Sequence, residues 1–253
     1  MSQSPLKIGF VSLGQGPRPD LEALHERLFG AHRLNIVPLW DHVLDGVTGA
    51  ELRTMEAAEG MPAIRALHHS GAGRRDGGPP DSNTWFDREA LTARLGDAIA
   101  RLEERGVALT IVCAAEMLPA LNVRSCRPVI FPAYAMAGQA EMLARTLPDA
   151  RIGLIVYGDR QRHQQLEGWQ KQPWAQELSI YFSGGGSDVE AIVNDLLPVH
   201  PDMVFIWAYG AATGPGVAEE ISWRLGVPVV SAAMAAVRLS LSFLPARAGQ
   251  VAP

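Results

Sequence analysis

The stretch Val107-Ala-Leu-Thr-Ile-Val-Cys-Ala-Ala-Glu116 constrains the fold most. It is a run of β-favouring apolar residues, apolar on both faces, which reads as a strand buried in a parallel sheet. A parallel sheet needs helical crossovers, so the chain is α/β. In open α/β sheets ligands sit beyond the carboxyl ends of the strands, which is where Cys113 stands. A thiol there, with a helix starting behind it, could ionise below its ordinary pKa of about 8.5. The other reading is a small buried hydrophobe, since free cysteine is among the most buried residue types.

The rest of the chain reads as repeats of this unit. Lys7–Gly14 is a first strand, and the loop Gln15-Gly-Pro-Arg-Pro-Asp20 cannot continue it. Pro19 opens a helix with a Leu21, Leu24, Leu28 stripe. Arg18, between strand end and helix start, either holds an anion or is a solvated turn arginine. Leu34–Trp40 is a second strand, at an edge because of Pro38, and a short helix spans Ala50–Glu59. His68–Asp81 is a long Gly-rich loop that could carry Arg74, Arg75 and Asp76 over a site. His68 and His69 read as solvated and lack the spacing of a metal pair, so no metal is implied. Asp87–Arg105 is the clearest helix, stopped by Gly106.

The second half echoes the first. Arg151-Ile-Gly-Leu-Ile-Val-Tyr-Gly158 repeats Lys7-Ile-Gly-Phe-Val-Ser-Leu-Gly14. Met203–Gly210 resembles Ala108–Ala115, which sets Ala208 opposite Cys113. Leu178–Phe182 is a strand, Ser187–Glu190 a capping box, Gly216–Leu225 a helix, Pro228–Ser231 a strand and Ala232–Phe243 a last helix, with Pro245 onward frayed. The expected fold class is α/β: two pseudo-symmetric three-layer αβα domains with mostly parallel sheets. Their expected extents are 1–132 plus 232–253, and 133–231, with a small-molecule cleft between them.

Composition excludes other classes. A formal charge of −5 with no basic stripe argues against nucleic acid. No stretch approaches the roughly 18 apolar residues of a membrane span, and the first residues do not read as a signal peptide. Two cysteines without a CxxC pattern suit free thiols in the cytoplasm. Cys126, among polar residues, reads as structural or exposed, and a homodimer is the default assembly.

Gly14-Gln-Gly-Pro-Arg-Pro-Asp20, Arg75-Asp-Gly77, Val112-Cys-Ala-Ala-Glu116, Arg127–Pro132 and Arg151–Val156 together resemble the AroM protein family. That family is grouped with aspartate/glutamate and hydantoin racemases, maleate isomerases and arylmalonate decarboxylases. The resemblance implies an Asp/Glu racemase-like fold and cofactor-independent chemistry by two cysteines facing the substrate carbon from opposite sides. Cys113 matches the first, and Ala208 stands at the second. Candidate substrate-binding residues are Gly14, Gln15, Arg18, Arg75, Ala114, Glu116, Tyr157, Ala208, Tyr209 and Gly210, with backbone N–H groups after Gly14, Cys113 and Ala208 as an oxyanion cradle. With no histidine recognisable beside Cys113, its activation would rest on backbone dipoles and Arg18 or Arg75. The expectation is a single-cysteine isomerase or lyase of a small carboxylate or related carbonyl compound, Cys113 acting as proton donor or nucleophile. The alternative is a non-catalytic binder that kept the cleft.

Overall fold

A computed structural model describes residues 5–32, 34–68, 82–118, 124–156, 159–185, 188–210 and 215–244. The chain divides into two compact units, Met1–Cys113 with Leu118–Ile130 and Leu239–Pro253, and Ala114–Met117 with Phe131–Arg238.

In the first unit, β1 (Leu6–Ser12), β2 (Ile36–His42), β5 (Leu109–Cys113) and β6 (Val129–Ile130) form a parallel sheet in the order β2-β1-β5-β6. The interior strands β1 and β5 are buried from Ile8 and Leu109 onward, as unbroken apolar runs should be. Helix α1 (Pro19–Gly30) covers one face, where Phe10 meets His25 at 4.5 Å and Phe29 at 6.1 Å between ring centroids. Helix α3 (Arg88–Glu104) lies on the other face, capped by the Asp87 carboxylate, which accepts from the Ala90 N–H at 2.8 Å. It approaches where Gly9 leaves room: a Cβ there would lie 2.9 Å from Thr110 Oγ1 and 3.1 Å from Leu102 Cδ1. Gly106, at φ +80°, ends α3 and feeds β5.

The second unit repeats the plan. Its strands β7 (Arg151–Ile155), β8 (Ser179–Ser183), β9 (Met203–Ile206) and β10 (Val229–Ser231) form a parallel sheet ordered β10-β9-β7-β8. In order of appearance, each sheet therefore runs second, first, third, fourth. Gly153 matches Gly9, with Leu196 of α6 (Val189–Leu196) and Val204 pressed against it as Leu102 and Thr110 are against Gly9. Helices α4 (Pro132–Thr146) and α5 (Asp159–Gln170) contribute to the core around Trp169, Phe205 and Trp207. Helices α7 (Pro215–Leu225) and α8 (Ala232–Leu241) follow, with Ala218 and Ile221 of α7 in the core on the other face.

Several sequence expectations need correction. Strand β2 begins at Ile36 and runs on to His42, beyond Trp40, because its ladder with β1 continues to Ser12. The short helix α2 is only Gly49–Thr54, opened by a Thr48–Glu51 capping box. The helix at 189 is capped by Asp188, whose carboxylate accepts from the Ala191 N–H at 3.1 Å; Ser187 lies outside the described residues. His68 is not a solvated loop residue. It ends β3 (Ala63–His68), which pairs antiparallel with β4 (Ser82–Asp87), and its ring bonds the Thr84 hydroxyl at 2.7 Å. The rest of the Gly-rich segment, with His69, Arg74, Arg75 and Asp76, lies outside the described residues, as do Tyr157 and the segment from Pro245. No described helix is long and apolar enough to cross a membrane.

Candidate active site

The loop after β1 is tied down at nearly every residue. Gly14 packs against the Leu67 backbone so closely that a Cβ would meet the Leu67 carbonyl. The Gln15 N–H donates to Leu67 O at 2.9 Å, and the Gln15 side-chain amide donates to Leu44 O at 3.1 Å and Val47 O at 3.3 Å. The Gly16 N–H donates to the Asp45 carboxylate at 2.9 Å, and its Cα lies against the His42 ring, leaving no space for a side chain. Arg18 is 7% exposed and forks onto both Asp20 oxygens at 2.8 and 2.6 Å. Burial pushes the Asp20 carboxyl up, but the Arg18 bonds and charge, with backbone N–H groups of Leu21 and Asp20, hold it below the usual carboxylate range.

These contacts revise the expected anion cradle. The N–H after Gly14 is committed to the Leu67 carbonyl, and a single N–H has one hydrogen to give. The Gln15 amide and two arms of the Arg18 guanidinium hold the loop and the first turn of α1.

Beside the loop, three strand ends line up. The β1 ladders pair Ser12 with Cys113 of β5 on one side and with His42 of β2 on the other. Side chains alternate along a strand, and Phe10, two residues before Ser12, stacks on Trp40 at 4.7 Å on the α1 face. Cys113, Ser12 and His42 thus share that face. Ser12 Oγ bonds His42 Nδ1 at 2.7 Å, with Ser12 1% and His42 9% exposed. Burial lowers the His42 pKa most, and Arg18 adds to that; Asp45 and Asp41 are the chief groups opposing it. The ring is therefore neutral near pH 7. Cys113 is buried at 8% exposure, its Sγ 4.0 Å from the Ile111 carbonyl. His42 also lines a polar cavity of about 490 Å³ whose walls include Trp40, Asp41, Asp45, Arg94 and Arg101.

Sequence reading missed Ser12, His42 and Asp45. The signal was available in the alternation Ile36, Pro38, Trp40, His42, which matches Ile8, Phe10 and Ser12 across the ladder.

The registers also give a different internal alignment from the sequence pattern. With Gly9 matched to Gly153, Thr110 corresponds to Val204 and Ile130 to Val230, so Cys113 corresponds to Trp207. The Trp207 N–H donates to Ile155 O at 2.8 Å, extending the ladder by one residue. Trp207 belongs to the cluster around Trp169, whereas Ala208 packs with the cluster on the opposite face. Ala208 thus corresponds to Ala114. The row equivalent to Cys113–Ser12–His42 is Trp207–Val156–Gly184, which has no acid, base or nucleophile.

Ala114 is buried, Glu116, Ala208, Tyr209 and Gly210 are partly buried, and all five belong to the second unit. Cys126 is exposed, bonded to the Glu103 carboxylate at 3.2 Å, which pushes its thiol pKa up. Among the described residues no group of three His, Cys, Asp or Glu is placed to hold a metal.

The sequence profile of the AroM protein family matches residues 8–242. There is no sequence match among curated proteins. Among solved structures, a crystal structure of arylmalonate decarboxylase is similar at 15% identity and TM-score 0.56, covering 96% of this chain and 94% of that one. Allantoin racemase from Klebsiella pneumoniae matches at 16% identity and TM-score 0.55, over 94% and 86% of the two chains. A cysteine-to-serine mutant of Nocardia farcinica maleate cis-trans isomerase, holding a covalent succinylcysteine intermediate, matches at 12% identity and TM-score 0.54, over 95% and 93%. At these identities the likeness establishes the racemase-like fold.

Proposed function

Since the chain belongs to the AroM protein family, we propose that it is a cofactor-independent, cysteine-dependent enzyme of a small carboxylate or related carbonyl compound. Cys113 is its proton donor or nucleophile. The observation that carries this reading is the strand-end row: a thiol at the carboxyl end of β5, in register with a buried serine that is hydrogen-bonded to a neutral histidine. Neither buried polar group is required by the fold, because the second unit builds the same sheet with Val156 and Gly184 in their places.

The reaction class follows from what the row offers. Racemisation through a planar carbanion needs an acid or base on each face of the carbon. Of the two cysteines that the family resemblance implies, this chain supplies Cys113 alone, so a reaction using one thiol is favoured. Decarboxylation of an activated acid needs a single protonation, and isomerisation through a covalent thioether needs a single nucleophile. The similar decarboxylase and the similar isomerase with its succinylcysteine support both forms. Backbone N–H groups following Cys113 are the remaining candidates to hold the developing oxyanion.

The test is a panel of substituted malonates, maleate-like diacids and α-substituted carboxylates, followed in D₂O for loss of CO₂, double-bond isomerisation and deuterium incorporation. Wild-type protein should turn over at least one class. Cys113→Ala should lower that rate by about 10²–10⁴-fold, and Cys126→Ser should leave it nearly unchanged. Full activity in Cys113→Ala would end the reading, and saturable binding without turnover would make the chain a binder instead.

A further inference from the structure

Resting on that reading, we propose that Ser12 and His42 form a proton relay that takes the thiol proton of Cys113 and delivers it to the polar cavity beside β2. The three side chains occupy adjacent positions on one face of the sheet, with Ser12 in the middle. Neighbouring strands lie about 4.8 Å apart, which sets the three side chains side by side. A serine hydroxyl has one hydrogen and two lone pairs. In the tautomer with the His42 proton on Nε2, the serine hydrogen goes to Nδ1 at 2.7 Å, leaving the hydroxyl's lone pairs to accept from another donor. The thiol Sγ lies 4.0 Å from the Ile111 carbonyl.

The transfer balances without any other reactant. The S–H bond of Cys113 breaks as an O–H bond forms on Ser12. The original Ser12 O–H breaks as N–H forms on His42 Nδ1. The products are a thiolate and an imidazolium, with the serine hydroxyl regenerated. Reversal returns the proton to the thiol when Cys113 acts as a donor.

The surroundings of His42 suit both directions. From its own strand and the following turn, Asp41 and Asp45 favour the imidazolium. Glu22 on α1 adds to them, while Arg18 in the loop and burial oppose the charge. Trp40 stacks on the ring at 6.2 Å, and Gly16 closes its other edge. On the cavity side stand Arg94, Asp97 and Arg101, Arg101 being paired with Asp41 at 2.7 Å. The imidazolium therefore meets carboxylates and a polar cavity through which its proton can exchange.

Ser12 and His42 are thus positioning residues, acting on the reaction through Cys113. The test uses the Cys126→Ser protein, in which Cys113 is the single thiol. Its thiolate is titrated by ultraviolet absorbance against the same protein carrying Cys113→Ala. The midpoint should fall at least about one pH unit below the ordinary 8.5 or so. Ser12→Ala and His42→Gln should each raise it by about one unit or more, and the two together by no more than either alone, since both cut one chain. Ser12→Thr, which keeps the hydroxyl, should retain the low midpoint. Unchanged midpoints in Ser12→Ala and His42→Gln, with circular dichroism like the parent's, would overturn the relay; Ser12→Ala alone suffices should His42→Gln fail to fold. A parent midpoint at the ordinary value overturns it too. Neither outcome bears on whether turnover needs Cys113, which the activity of Cys113→Ala decides.

Discussion

His25 carries no catalytic role here, yet it sets a pH limit on the fold. Its ring is 1% exposed, packed on Phe10 and Trp40, and its Nδ1 donates to the Leu21 carbonyl at 2.8 Å. Burial lowers its pKa from the ordinary 6.5 to about 4, against the opposing effect of that bond. Above 6.5 the ring is neutral in both folded and unfolded chains and adds nothing to the pH dependence. Between about 6.5 and 4 the unfolded chain accepts a proton that the folded one refuses, so stability falls as pH falls, by on the order of 3 kcal/mol. The lowered pKa of His42 acts in the same direction. Urea midpoints near pH 7 and pH 4.5 should therefore diverge in the wild type. In His25→Leu the divergence should shrink, and a wild-type midpoint unchanged on acidification would contradict the burial account.

At the scale of elements, the two units serve as controls for each other. Thr110 and Val204 fill the same place beside the strand glycine, Gly9 in one sheet and Gly153 in the other. The Thr110 hydroxyl is fully buried and has no hydrogen-bond partner among the described residues. An unsatisfied buried polar group costs about 1–3 kcal/mol, and the second unit avoids it with a methyl group. Thr110→Val should raise stability by about 1 kcal/mol in denaturant unfolding without affecting turnover; a clear loss would mean that the hydroxyl has a partner. The same comparison explains what the sequence made legible. Buried β-strands and the Asp87-capped helix stand out because apolar runs, glycine stops and caps are local signals. The β3–β4 pair, α4 and α5 do not: α5 is polar along most of its length, and α4 opens with Pro132 one residue after a two-residue strand.

For the molecule as a whole, the duplication is visible in Lys7-Ile-Gly and Arg151-Ile-Gly, but its register is not. The apolar runs alone set Ala208 against Cys113, whereas the ladders set Trp207 there, a one-residue shift that moves the side chain to the opposite face. The alternation Ile36, Pro38, Trp40, His42 marks one face of β2, but only the long-range pairing with β1 puts His42 beside Ser12. The working hypothesis has one thiol made special by its neighbours. Reactivity at the two cysteines tests that most directly, because exposure and chemistry point opposite ways. Cys126 is exposed and its pKa is raised by Glu103, while Cys113 is buried beside Ser12. Brief treatment with iodoacetamide near neutral pH, read by peptide mass, should label Cys113 first, and malonate or maleate in excess should slow that labelling alone. Labelling of Cys126 with Cys113 left untouched would contradict it.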